Sequence, residues 1–161
     1  MGRCGIIGQQ KEVIEVQLME LVELSKKREA AREQLITAVN ELTDALLDVL
    51  RPGDFVEVEG QKFGVLRYTS NLGDRDFFVI SSEWGGPRVF GCKRPGGSFY
   101  LHGDYHAYVM VADLDDYINF ARLADEIIKA FKQKLGSEIE TIQKLLARWG
   151  ELAKEVGNEN A

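Results

Sequence analysis

The chain has only two histidines, and they lie on either side of one acidic residue. His102, Asp104 and His106 alternate along the sequence. In an unbroken strand such alternating residues share one face, so two imidazoles and a carboxylate would converge on one metal ion. Gly103 also allows a turn here, which would separate the three side chains. Two interpretations stay open: the site of a metal-dependent enzyme, or a polar turn.

Other catalytic patterns are weak in this sequence. The segment 93–98 (KRPGGS) has the glycines and cations that suit a phosphate, but not the spacing of a P-loop, so a surface loop is the simpler interpretation. No Gly-x-Ser-x-Gly motif occurs. Cys4 and Cys92 are far apart, which favours free thiols in a reducing compartment over a disulfide. We therefore expect a non-enzymatic protein without a cofactor.

Aromatic and arginine side chains are frequent between residues 53 and 112, and they suggest a binding surface. We expect four of them to contact a partner protein: Trp84, Arg88, Phe90 and Tyr100. A small ligand or a single-stranded nucleic acid, stacked on the rings, is the alternative. The net charge of −6, with no strongly basic segment, argues against nucleic acid and against an anionic membrane surface. With no long apolar run and no secretion signal, we expect a cytoplasmic location.

Two long helices are predicted on either side of this middle region. Residues 9–51 contain no glycine or proline, and Pro52-Gly53 follows as a stop signal. The second helix is predicted over 114–156, after Asp113 as N-cap. Short tails are expected at 1–8 and 157–161.

Each predicted helix carries apolar residues at alternating spacings of four and three, which is typical of a coiled coil. In an antiparallel hairpin of 9–51 with 113–156, Leu21 meets Leu145 and Leu18 meets Trp149. The same register places Arg28 opposite Glu138, so the polar interruptions of the two seams coincide. Further apolar residues lie outside the seams, and self-association into a four-helix dimer would bury them.

Residues 52–112 read as a small inserted β domain. Period-2 apolar runs between turn signals predict strands at 54–58, 62–69, 76–81, 87–92, 98–101 and 104–111, with a tight hairpin turn at 59–61. Strands of this number and length suit a small antiparallel barrel of SH3-like or OB-like size, or a strongly curled sheet. The fold class is therefore α+β, a helical hairpin with an inserted β domain.

This layout resembles that of prefoldin subunits, in which the coiled coil is a tentacle and the β part assembles the oligomer. The resemblance is one of organisation and rests on no shared motif. We expect an oligomeric assembly or adaptor protein, whose hairpin is a spacer or oligomerisation module and whose β domain recognises another protein. The expected partners are a second copy of the chain and a different protein.

Overall fold

A computed structural model of the chain describes residues 2–70, 73–82, 85–94, 97–99 and 110–159. Helix α1 spans Gly2–Val49 and helix α2 spans Leu114–Glu159. Between them the described residues form six strands: β1 (Phe55–Val58), β2 (Gln61–Ser70), β3 (Gly73–Ser82), β4 (Gly85–Arg94), β5 (Gly97–Phe99) and β6 (Met110–Val111). The α+β class and the order of elements agree with the sequence prediction.

The helices are longer than predicted at their outer ends. α1 begins at Gly2 and α2 continues to Glu159, so helix replaces most of the two predicted tails. Glycine weakens a helix by about 1 kcal/mol without forbidding it, and Gly5, Gly8 and Gly157 are therefore tolerated. At its inner end α1 stops as predicted, before a turn in which Gly53 adopts a φ of 93°.

The strands form an open mixed sheet. β1 to β5 pair antiparallel in chain order, and β6 runs parallel to β4 beside Arg88 and Val89. Of the two predicted arrangements the barrel is wrong for the strands that the structure describes, because β1 pairs only with β2 and the sheet stays open. The edge at β1 lies against α2, where the Lys134 amine donates a hydrogen bond to the Phe55 carbonyl oxygen at 3.2 Å.

The turn between β1 and β2 occurs where the sequence predicts it. Glu59 and Gly60 have φ values of 50° and 75°, and Val58 pairs with Gln61. Positive φ at both central residues is the signature of a type I′ turn, whose twist matches that of the paired strands.

The main core lies between the helices and one face of the sheet. Phe63, Phe78 and Phe90 from the strands surround Phe120 of α2, with ring centroids 5.1–5.9 Å from that of Phe120. α1 adds Leu46 and Leu47 to the same cluster, and Leu50, directly after the helix, also belongs to it. Because side chains alternate along a strand, the other sheet face carries a separate small cluster of Phe77, Val79 and Val89.

The helices share a core only beside the sheet. Val39 and Phe131 are buried there, whereas every residue from 7 to 31 and from 136 to 158 is exposed. Leu21 is 60% exposed and Leu145 is 52% exposed, so the predicted seam does not pack along its full length. The long coiled-coil hairpin is therefore not confirmed. We call residues 7–31 and 136–158 the α1 arm and the α2 arm, and the sheet with the helix segments 32–49 and 114–135 the head.

Gly64 provides a test of this packing. A Cβ atom there would overlap the carbonyl oxygen of Asp54 and the ring of Phe55. Because paired backbone would have to shift, Gly64→Ala should lower the free energy of unfolding by about 2–3 kcal/mol in urea titrations. Gly86→Ala is the control, since its Cβ meets nothing within 4 Å. Equal stability of the two variants would contradict the close approach at Gly64.

Candidate interaction surface

Several residues of the predicted sites lie outside the described part of the chain. These are His102, Asp104 and His106 of the metal site, and Trp84 and Tyr100 of the partner surface. Within the described ranges, no three His, Cys, Asp or Glu side chains are grouped to hold a metal ion. The metal site and the contacts of Trp84 and Tyr100 therefore stay predictions.

The two described members of the predicted partner surface are engaged within the head. Phe90 is 4% exposed, and its ring packs against Phe78, Tyr117 and Phe120. Its position in the core does not suit contact with a partner, because a buried ring on the inner face of a sheet has no free surface. Arg88, on the same strand, forms an ion pair with Asp116 of α2.

The Arg88–Asp116 pair joins β4 to the first turn of α2. The guanidinium Nε and Nη2 atoms donate to the two carboxylate oxygens, each at 2.6 Å. The Asp113 backbone N–H also donates to Asp116 at 3.0 Å, and the Asp116 N–H donates back to the Asp113 side chain at 2.9 Å. Asp113 is thus the N-cap that the sequence predicts, and the reciprocal bonds have the form of a capping box.

Asp116 is held in its charged form. Burial would raise the pKa of its carboxyl group, but the hydrogen bonds from Arg88 and from the Asp113 backbone outweigh burial, and the pKa lies below its ordinary value. A lowered pKa in the folded state stabilises the protein above the unfolded-state pKa. This stabilisation is lost as the pH falls through the folded-state value.

We expect Asp116→Asn to lower the free energy of unfolding by about 2–3 kcal/mol near neutral pH, because Arg88 loses its charged partner. The difference from the wild type should shrink as the pH falls below about 4, where the unfolded carboxyl group is protonated. Denaturant titrations at several pH values measure it. Asp115→Asn, at an exposed neighbouring position, is the control. A difference that stays constant into acid would mean that the charge of Asp116 is not the stabilising feature.

A second polar contact ties the helices together inside the head. The Tyr117 hydroxyl of α2 donates to the Asn40 side-chain oxygen of α1 at 2.9 Å. Close by, Thr43 lies against Gly91 of β4, where a Cβ atom would come within 3.2 Å of the Thr43 hydroxyl oxygen. These contacts fix where each helix crosses the sheet, and so where each arm leaves the head.

The two arms present the largest exposed apolar surface among the described residues. On the α2 arm Trp149 is 68% exposed, and Leu145 and Leu146 before it are 52% and 65% exposed. Large apolar side chains exposed to 40% or more occur along both arms: Ile7, Val13, Ile14, Val16, Leu18, Met19, Leu21, Val22 and Leu24 on α1, and Ile139, Ile142, Leu145, Leu146, Trp149, Leu152 and Val156 on α2. Contiguous exposed apolar surface of this kind is uncommon on monomeric proteins.

Arg28 and Glu138, the predicted register pair, lie on the two arms. Both are exposed, and no ion pair joins them in the part of the chain that the structure describes. Their pairing stays a prediction for a state in which the arms are packed.

Comparison of the chain with protein-family models, with curated proteins and with solved structures finds no match. Neither α1 nor α2, over its described residues, contains an apolar stretch long enough to cross a membrane.

Proposed function

We propose that this protein is a non-enzymatic assembly or adaptor protein. Its arms associate with a second copy, and its head offers a surface to another protein. The observation that supports this proposal is the rows of apolar side chains along both arms, which nothing in the chain covers within the described residues.

The size of the arms is sufficient for a stable interface. A standard interface buries about 800 Å² per partner and involves about 20–30 residues on each side. Each arm supplies roughly 25 residues, about 37 Å of helix at 1.5 Å per residue. Buried apolar area contributes about 25 cal/mol per Å², which opposes the cost of association.

The described aromatic residues favour this proposal over a binding surface for single-stranded nucleic acid. Phe63, Phe78 and Phe90 pack in the core and present no ring face on which a base could stack. The alternative function, a metal-dependent enzyme, rests on His102, Asp104 and His106 alone. Metal analysis of the purified protein separates that alternative from an assembly role.

Substituting one apolar arm residue tests the proposal. Val22→Glu should weaken self-association at least about tenfold, about 1.4 kcal/mol, because it would place a charge in the apolar contact between copies. Light scattering coupled to size exclusion, over a dilution series, measures the dissociation. Because Val22 is exposed on the arm, the packing of the head should not change.

Gln34→Glu is the matched control, since it introduces the same carboxylate at an exposed polar position away from the seam. It should leave association unchanged. A wild-type protein that stays monomeric at its highest soluble concentration would refute the proposed self-association. Equal effects of the two substitutions would show that the apolar side of the arm is not the contact.

A further inference from the structure

We infer, on the basis of the proposed self-association, that two copies join through their α1 arms in antiparallel orientation. The two heads then lie at opposite ends of the dimer. The second copy covers the side of the α1 arm that continues the sheet-facing side of the head.

One face of α1 continues from the head into the arm. Five turns of 3.6 residues make eighteen, so residues eighteen apart share a face of α1. In the head, Thr43 and Leu47 lie against Gly91 of the sheet. Eighteen residues earlier the same face carries Ser25 and Glu29. Towards the start of the helix this face continues over Val22, Leu18, Lys11 and Ile7. The sheet covers this face in the head, and no described element covers it in the arm.

This face of the α1 arm is complementary to itself when it is reversed. When two α1 arms are paired antiparallel with position 20 at the centre, Leu18 lies opposite Val22 of the second copy, and Val22 lies opposite Leu18. In the same register Lys11 lies opposite Glu29. A two-fold axis generates every contact twice, as in an isologous dimer. The parallel alternative would place Lys11 beside Lys11 and Glu29 beside Glu29, and like charges repel.

The charge changes along the α1 arm and the first helical residues beyond it. Residues 7–23 carry four glutamates and one lysine, whereas residues 24–33 carry four basic and two acidic side chains. Antiparallel arms place the acidic end of each copy beside the basic end of the other. Parallel arms would bring the two acidic ends together, so the gradient favours heads at opposite ends.

The neighbouring face of the α1 arm leaves room for the α2 arm. Leu21 and Leu24 lie eighteen residues before Val39 and Leu42, which belong to the core shared with α2 in the head. The α1 arm therefore has one apolar side for α2 and another for the second α1. Two copies would build a four-helix bundle, in which each helix packs against two neighbours.

Spin-label distances test the orientation. We would label Gln9→Cys, near the tip of the α1 arm, in a background carrying Cys4→Ser and Cys92→Ser. Antiparallel arms separate the two labels by 22 residues along the axis, about 33 Å, whereas parallel arms hold them within about 20 Å. Labels at Thr37→Cys, in the head, should be about 50 Å apart in the antiparallel dimer. Light scattering on the same samples reports the oligomeric state.

A charge exchange gives an independent readout. Lys11→Glu should weaken the dimer about tenfold, and adding Glu29→Lys should restore it, because the pair is only reversed. Short distances at Gln9→Cys in a dimer, or no rescue by the double variant, would overturn the orientation and leave the proposed self-association intact. A monomer would instead overturn the self-association, and the inference with it.

Discussion

The structure depends on a mismatch of length between its helices and its sheet. α1 has 48 residues and α2 has 46, which makes each about 70 Å long. The longest strands have ten residues and reach only about 33 Å. A sheet of this size can cover less than half of either helix. The arms are the remainder, and their apolar side chains are exposed.

The head is built to hold the covered parts of the helices firmly. Phe120 is fully buried among the strand phenylalanines. Directly before α2, the Ala112 N–H donates to the Val89 carbonyl oxygen at 2.9 Å, which ties the start of that helix to β4. The Arg88–Asp116 pair then fixes the first turn of α2. A helix anchored in this way directs its free end, so the head determines where both arms begin.

Local sequence patterns predict much of the secondary structure, but they do not predict which elements contact one another. The period-2 runs and the turn at Glu59-Gly60 place β1 to β4 correctly, because these signals depend on neighbouring residues. Most of the predicted strand 104–111 lies outside the described residues. The local patterns left a barrel and a curled sheet as alternatives, and the sheet stays open because β1 pairs only with β2 among the described strands, which depends on contacts between distant segments. The seam of apolar residues shows that a helix face needs cover, but it cannot show whether the cover comes from the same chain.

The candidate site was predictable to a similar degree. The D-x-x-D pattern from Asp113 to Asp116 signals a helix start, yet no local feature indicates that Arg88 is the partner of Asp116. Phe90 was expected at a partner surface, and its exposure depends on which sheet face the helices cover. The apolar residues outside the predicted seams divide by position: those beside the sheet, such as Leu47 and Leu123, are buried in the head, and those on the arms, such as Met19 and Leu146, are exposed.

The central claim is that a second copy covers the arms. Isolated helices of this length are only marginally stable in water, so the amides of uncovered arms exchange hydrogen rapidly. The most direct measurement is amide hydrogen exchange over a dilution series. We predict that protection in residues 7–31 and 136–158 falls together with the dimer fraction, while the strands and the segment around Phe120 stay protected. Arms that keep their protection in the monomer would contradict the account, because the chain would then cover its own arms.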